Sequence, residues 1–150
     1  MAAGGIDCAE LELRDSPVMK VHGSCHCGAI RFSGDVDPTQ VVVCHCDDCQ
    51  ILSGAPYRAV ISAPMETFEI SGSPRTYVKV AQSGNRRAQV FCPDCGTALY
   101  GAAAENPTHA VLRLGCLEER DQLRPSRQIW THSAAGWTGK LAEVPASPEQ

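Results

Sequence analysis

Seven of the nine cysteines in this 150-residue chain fall into three short clusters: Cys25-His26-Cys27, Cys44-His45-Cys46-Asp47-Asp48-Cys49 and Cys92-Pro93-Asp94-Cys95. This spacing constrains the chain more than its overall composition does. The sequence does not open on a basic segment followed by an apolar one, so no secretory signal is expected and a cytoplasmic location is inferred. Thiols in the cytosol meet a reducing glutathione pool and rarely pair into disulfides, and an odd number cannot all pair within one chain. Clustered thiols in that setting point to metal.

Composition enters mainly as an exclusion. The hydrophobic fraction of 43% supports a single globular domain, expected over 18–140, between a loose N-terminal segment (1–17) and a flexible tail (141–150). A net charge of −4 and a lone basic pair, Arg86-Arg87, offer no clustered basic face, so a nucleic-acid partner is not expected. No stretch approaches the roughly 20 apolar residues of a membrane helix, so no membrane association is expected either.

Between the clusters the chain reads as short β-prone runs: 18–22, 29–33, 40–43, 57–61, 67–70, 76–81, 88–91, 98–100 and 110–114. Turn-forming pairs such as Gly34-Asp35, Asp37-Pro38 and Ser73-Pro74 punctuate them. Only 47–52 and 117–122 suggest a turn or two of helix. Many short strands with turn chemistry between them predict an antiparallel all-β domain.

The Cys92–Cys95 pair is a tight chelating turn, with Pro93 favouring the bend and Gly96 free to take a positive φ. A closed tetrahedral zinc site needs four ligands. Cys25 and Cys27 are the natural partners, since residues two apart on a strand face one side and the remaining cluster is a self-contained trio. Sixty-four residues separate Cys27 from Cys92, so such a site would clip distant segments together and contribute folding energy.

Cys44, Cys46 and Cys49 supply three thiolates from one loop, and two arrangements are open. Either the fourth position on a zinc ion is exchangeable, as in catalytic sites, or Asp47, Asp48, His109, Cys116 or His132 closes it. An open three-thiolate site suits a soft ligand, a substrate thiol held as thiolate. His26 and His45 alternate with the ligands and are expected to support or flank them. Cys8 and Cys116 are read as bystanders, Trp130 and Trp137 as packing residues.

With their flanking residues, these motifs resemble the glutathione-dependent formaldehyde-activating enzymes, a family grouped with centromere protein V. The matching stretches are Gly23-Ser24-Cys25-His26-Cys27-Gly28-Ala29-Ile30, the 44–49 cluster, Ser53-Gly54-Ala55-Pro56 and 91–100, with the ending from Pro125 to Trp137. The resemblance implies a β-tent fold of stacked antiparallel sheets. It implies a structural zinc on Cys25, Cys27, Cys92 and Cys95, and a catalytic zinc on Cys44, Cys46 and Cys49. The implied activity is that of a carbon–sulfur lyase, joining formaldehyde to glutathione as S-hydroxymethylglutathione. The chain departs from the family at Gln50, where a basic residue is usual, and at Cys116 and Glu118, where Thr and Asp are expected. The competing reading is a non-catalytic protein-binding module in which both zinc ions are structural. A third is a thiol-based redox or metal-buffering role.

Overall fold

The computed structural model of the chain describes residues 16–81 and 83–149; Cys8 lies outside them. Strict alternation builds a small sheet first. Strand β1 (Met19–Ser24) buries Val21 and Gly23, and β2 (Arg31–Val36) buries Phe32, Gly34 and Val36. They pair antiparallel, and β5 (Glu69–Ser71) extends the sheet beyond β2.

The larger sheet contains β3 (Val41–Cys44), β4 (Arg58–Pro64), β6 (Arg75–Val80), β7 (Arg86–Phe91), β8 (Ala98–Ala103), β9 (His109–Arg113) and β10 (Pro125–Ile129). Its order is β10-β3-β4-β9-β8-β7-β6. Ile61 and Ala63 of β4, and Ala110 and Leu112 of β9, point inward and join one core with Val21 and Phe32 of the small sheet and Ile30 just before β2. Phe68 bridges the two layers, its ring centroid 6.0 Å from Phe32 and 4.9 Å from Tyr100. Two mainly antiparallel sheets packed over one apolar layer form the β-tent.

All nine β-prone runs correspond to strands, displaced by up to three residues. The tenth, β10, has four exposed residues of five and therefore no apolar alternation to reveal it. It joins the edge of β3 in parallel, whereas every other strand pairing among the described residues is antiparallel. The helix expected over 47–52 is α1 (Asp47–Ser53). Of the second expected helix, 117–122, only Arg120–Gln122 forms a 3-10 turn, and another, Leu114–Cys116, precedes it. Between them Leu117 is extended and fully buried, bridging Gly23 of β1, which excludes helical geometry there. A 3-10 segment, Thr138–Glu143, runs through the expected start of the tail. Among the described residues, no helix is long and apolar enough to cross a membrane.

Candidate metal centres

The structure gathers the sulfurs of Cys25, Cys27, Cys92 and Cys95 within 4.8 Å of one another. Turn geometry, rather than strand alternation, aims the first pair. β1 ends at Ser24, and the amide of Gly28 (φ +78°) donates to the Cys25 carbonyl. The second turn is its counterpart, with the amide of Gly96 (φ +75°) donating to the Cys92 carbonyl. Sulfur–sulfur distances are 3.5 Å for Cys25–Cys27 and 3.8 Å for Cys27–Cys92. Zinc–sulfur bonds of about 2.3 Å in a tetrahedron give edges of about 3.8 Å, so the donor set fits zinc.

Nearby polar groups stabilise negative charge on two of these sulfurs, those of Cys95 and Cys25, whereas Cys27, despite a backbone hydrogen bond from Ala29, is pushed up to about 12 by the neighbouring thiols. The Thr97 hydroxyl lies 3.1 Å from the Cys95 sulfur, and it is the main cause of that thiol's fall to about 5. The Ile30 amide donates to the Cys25 sulfur at 3.3 Å and, against the opposing effect of burial, helps to lower that thiol as well. His26 faces solvent, and its amide donates to Thr97, so it supports the turn from outside.

Cys44, Cys46 and Cys49 form the second cluster, their sulfurs also within 4.8 Å of one another. β3 delivers Cys44. Cys46 is the N-cap of α1, its sulfur accepting from the Cys49 amide, and Cys49 occupies the first helical turn. One strand end and one helix cap thus place three sulfurs around a single point. None of the residues considered as a fourth ligand joins them. Asp48 pairs with Lys79 of β6, the Cys116 thiol donates to the Ala98 carbonyl, His109 lies beside Thr108, and the His132 ring is tilted against Trp130. The trio would therefore offer a metal three protein ligands among the described residues.

Its charge is asymmetric. Hydrogen bonding from Cys44, opposed by burial and reinforced by the Arg58 guanidinium, lowers Cys49 to about 5. The same interaction pushes Cys44 up. Arg58 Nη2 donates to the Cys49 sulfur at 3.2 Å.

Strand register extends this contact into a polar stripe on the sheet face opposite the core. Arg58 stands across from Cys44, Arg113 across from Val60, and Gln89 across from Gly101. Gln89 Oε1 accepts from Arg113 Nη2 at 2.8 Å and from Arg58 Nη1 at 3.4 Å. Gly101 allows this meeting across β8, since a Cβ there would lie 3.1 Å from Arg113 Nη2 and 3.4 Å from Gln89 Nε2. Composition and cysteine spacing did not point to Arg58, Gln89 or Arg113. Their signal is positional: each stands out of phase with the apolar residues of its strand.

On the inner face, a cavity of about 710 Å³ opens between β3, β4, β10 and the C-terminal 3-10 turns. His45, Tyr57 and Gln128 line it. His45 is 3% exposed; its Nε2 is 2.7 Å from Gln128 Oε1. Gln50, the departure noted after the third cysteine, donates to the carbonyls of His45 (2.7 Å) and Ser133 (2.9 Å), fastening α1 to the C-terminal segment. Trp130 and Trp137, expected to pack, are 50% and 54% exposed.

Comparison with known proteins places the chain in a family. A Schizosaccharomyces pombe protein named an uncharacterized lyase is 31% identical over 80 residues, covering 53% of this chain and 56% of that protein. A Halomonas elongata protein, assigned by name to glutathione-dependent formaldehyde activation, is 31% identical over 90 residues, covering 55% of each. The chain thus spans about half the length of these curated relatives. A crystal structure of a Rhodobacter sphaeroides protein superposes with a TM-score of 0.55 at 18% identity, over 71% of this chain and 98% of that one, and shares the fold. The profile of the glutathione-dependent formaldehyde-activating enzymes matches residues 20–133, more than half of the chain, and the chain belongs to that family.

Proposed function

We propose that the protein is a zinc-dependent carbon–sulfur lyase that joins formaldehyde to a small thiol such as glutathione, giving the S-hydroxymethyl adduct. The observation that carries this reading is the trio of Cys44, Cys46 and Cys49 without a fourth protein ligand among the described residues. The four-cysteine cluster, which links segments 65 residues apart, is then the structural zinc site. Zinc held by the trio supplies a soft Lewis acid that favours the thiolate form of a substrate thiol at neutral pH.

The chain's own residues then have defined tasks. Cys46 caps α1, which fixes Cys49 relative to Cys44, and Arg58 holds the Cys49 sulfur from the sheet. In the forward reaction the substrate sulfur forms a bond to the formaldehyde carbon. The carbonyl π pair moves to oxygen, which takes up a proton.

The test substitutes cobalt for zinc and follows the sulfur-to-cobalt absorption band while glutathione is added. The expected result is a glutathione-dependent gain in the band that disappears in Cys46→Ser. An unchanged spectrum would refute glutathione as the ligand and favour a binding module with two structural zinc sites.

A further inference from the structure

Arg113 is 7% exposed, yet no carboxylate among the described residues pairs with it or with Arg58. The two guanidinia share the neutral acceptor Gln89. Nε of each is buried without a hydrogen-bond partner among the described residues. Two cations over one neutral amide is a costly arrangement, because each loses hydration and repels the other. Burial first, then the neighbouring Arg58, pulls Arg113 down to about 9.

The compensating charge lies at the trio, which Arg58 touches through Cys49. Three thiolates and a divalent ion sum to one net negative charge. Two guanidinia convert that to one net positive charge. A neutral fourth ligand leaves the surplus in place, whereas one anionic ligand cancels it. From this we infer that Arg58 and Arg113 are a built-in dication that makes the Cys44–Cys46–Cys49 site select an anionic fourth ligand, a thiolate, over a neutral one.

The inference rests on the proposed function for the presence of a metal with an open position, and goes beyond it in assigning ligand selectivity to two residues of the sheet. Arg58 acts directly on a ligand sulfur. Arg113 acts through Gln89 and through its charge, and Gly101 is the position that lets it do so. Because the pair sits in a poorly solvated stripe, its influence is larger than that of surface charges.

The experiment uses the full chain loaded with cobalt and compares two probes, glutathione as an anionic ligand and imidazole as a neutral one. Arg113→Gln is expected to weaken glutathione binding about tenfold while leaving imidazole within about twofold. Arg113→Lys is expected to retain most of the glutathione affinity. Should Arg113→Gln fail to fold, Arg58→Gln removes one charge of the same pair from its less buried side and carries the same comparison. Equal glutathione affinity with and without the charge overturns the inference, and so does a parallel loss of both ligands. Absence of any glutathione signal in the unaltered protein overturns the proposed function itself, and is told apart because no variant is then involved.

Discussion

The two cysteine clusters differ most in the length of chain they close, and this makes their contributions to stability separable. A metal bridging Cys27 and Cys92 closes a loop of 65 residues, while one held by the trio closes five, from Cys44 to Cys49. Loop-closure entropy grows as (3/2)RT ln n, which gives about 4 kcal/mol for the first and about 1.5 kcal/mol for the second. Any constant term is common to both, so the firm quantity is the difference, about 2 kcal/mol. The perturbation is a matched pair of double variants. Cys25→Ser with Cys27→Ser leaves one chelating turn that cannot reach across the fold. Cys46→Ser with Cys49→Ser leaves one thiol at the trio. Each double variant replaces one buried and one more accessible thiol, so their packing costs are similar, and Ser at position 46 remains a competent N-cap. At roughly 2–4 °C per kcal/mol for a domain of this size, the first should unfold about 5–9 °C below the second, measured by thermal denaturation of the zinc-loaded proteins. Equal midpoints, or a lower midpoint for the trio variant, would refute the assignment of the structural role to the four-cysteine cluster.

Two further expectations concern residues around the sites. Glu119 accepts from the His22 amide and lies against its ring, both at 2.9 Å; these contacts outweigh partial burial and hold its carboxyl below the ordinary 4.5. A carboxyl depressed on folding stabilises the protein above its unfolded pKa and loses that contribution as pH falls. Glu119→Gln should therefore cost stability at pH 7, and the gap from the unaltered protein should close on acidification towards pH of about 3; a gap that widens there would contradict the sign. Gln50→Ala removes two hydrogen bonds to carbonyls and should cost about 1–3 kcal/mol in chemical denaturation while leaving metal content unchanged; loss of metal from the trio would show that Gln50 also positions the ligands.

Much of the fold was legible because the strands that matter alternate. Val21, Phe32, Ile61 and Leu112 each sit in a run whose period is two, and burial follows that period. β10 was not legible, since an edge strand with exposed side chains on both faces leaves no apolar signal and its register is set by its partner β3. The helix expected over 117–122 failed for a tertiary reason: Leu117 serves the core better as an extended residue beside Gly23 than as part of a helix. The cysteine clusters were legible as groups, but not how they converge. Cys25 and Cys27 converge through a turn with a positive-φ glycine, although strand alternation also predicts a common side.

The guanidinium stripe marks the point at which local pattern stops being sufficient. Arg58 and Arg113 occupy the positions of β4 and β9 that alternate away from the core, where an exposed, solvated arginine is the ordinary outcome. What makes them unusual is the strand order, which sets β9 between β4 and β8 and so aligns three short segments far apart in sequence. Only then does Gly101 become a gap through which Arg113 reaches Gln89 and, with it, Arg58 and the Cys49 sulfur. Replacing Gly101 by alanine tests that dependence directly. A Cβ 3.1 Å from the guanidinium must displace it by a few tenths of an ångström. If Arg113 sets the ligand preference of the trio, this small displacement on β8 should reduce the preference for thiolate over imidazole at a cluster three strands away. An unaltered preference would place the guanidinium's influence in its charge alone, independent of its contact with Gln89.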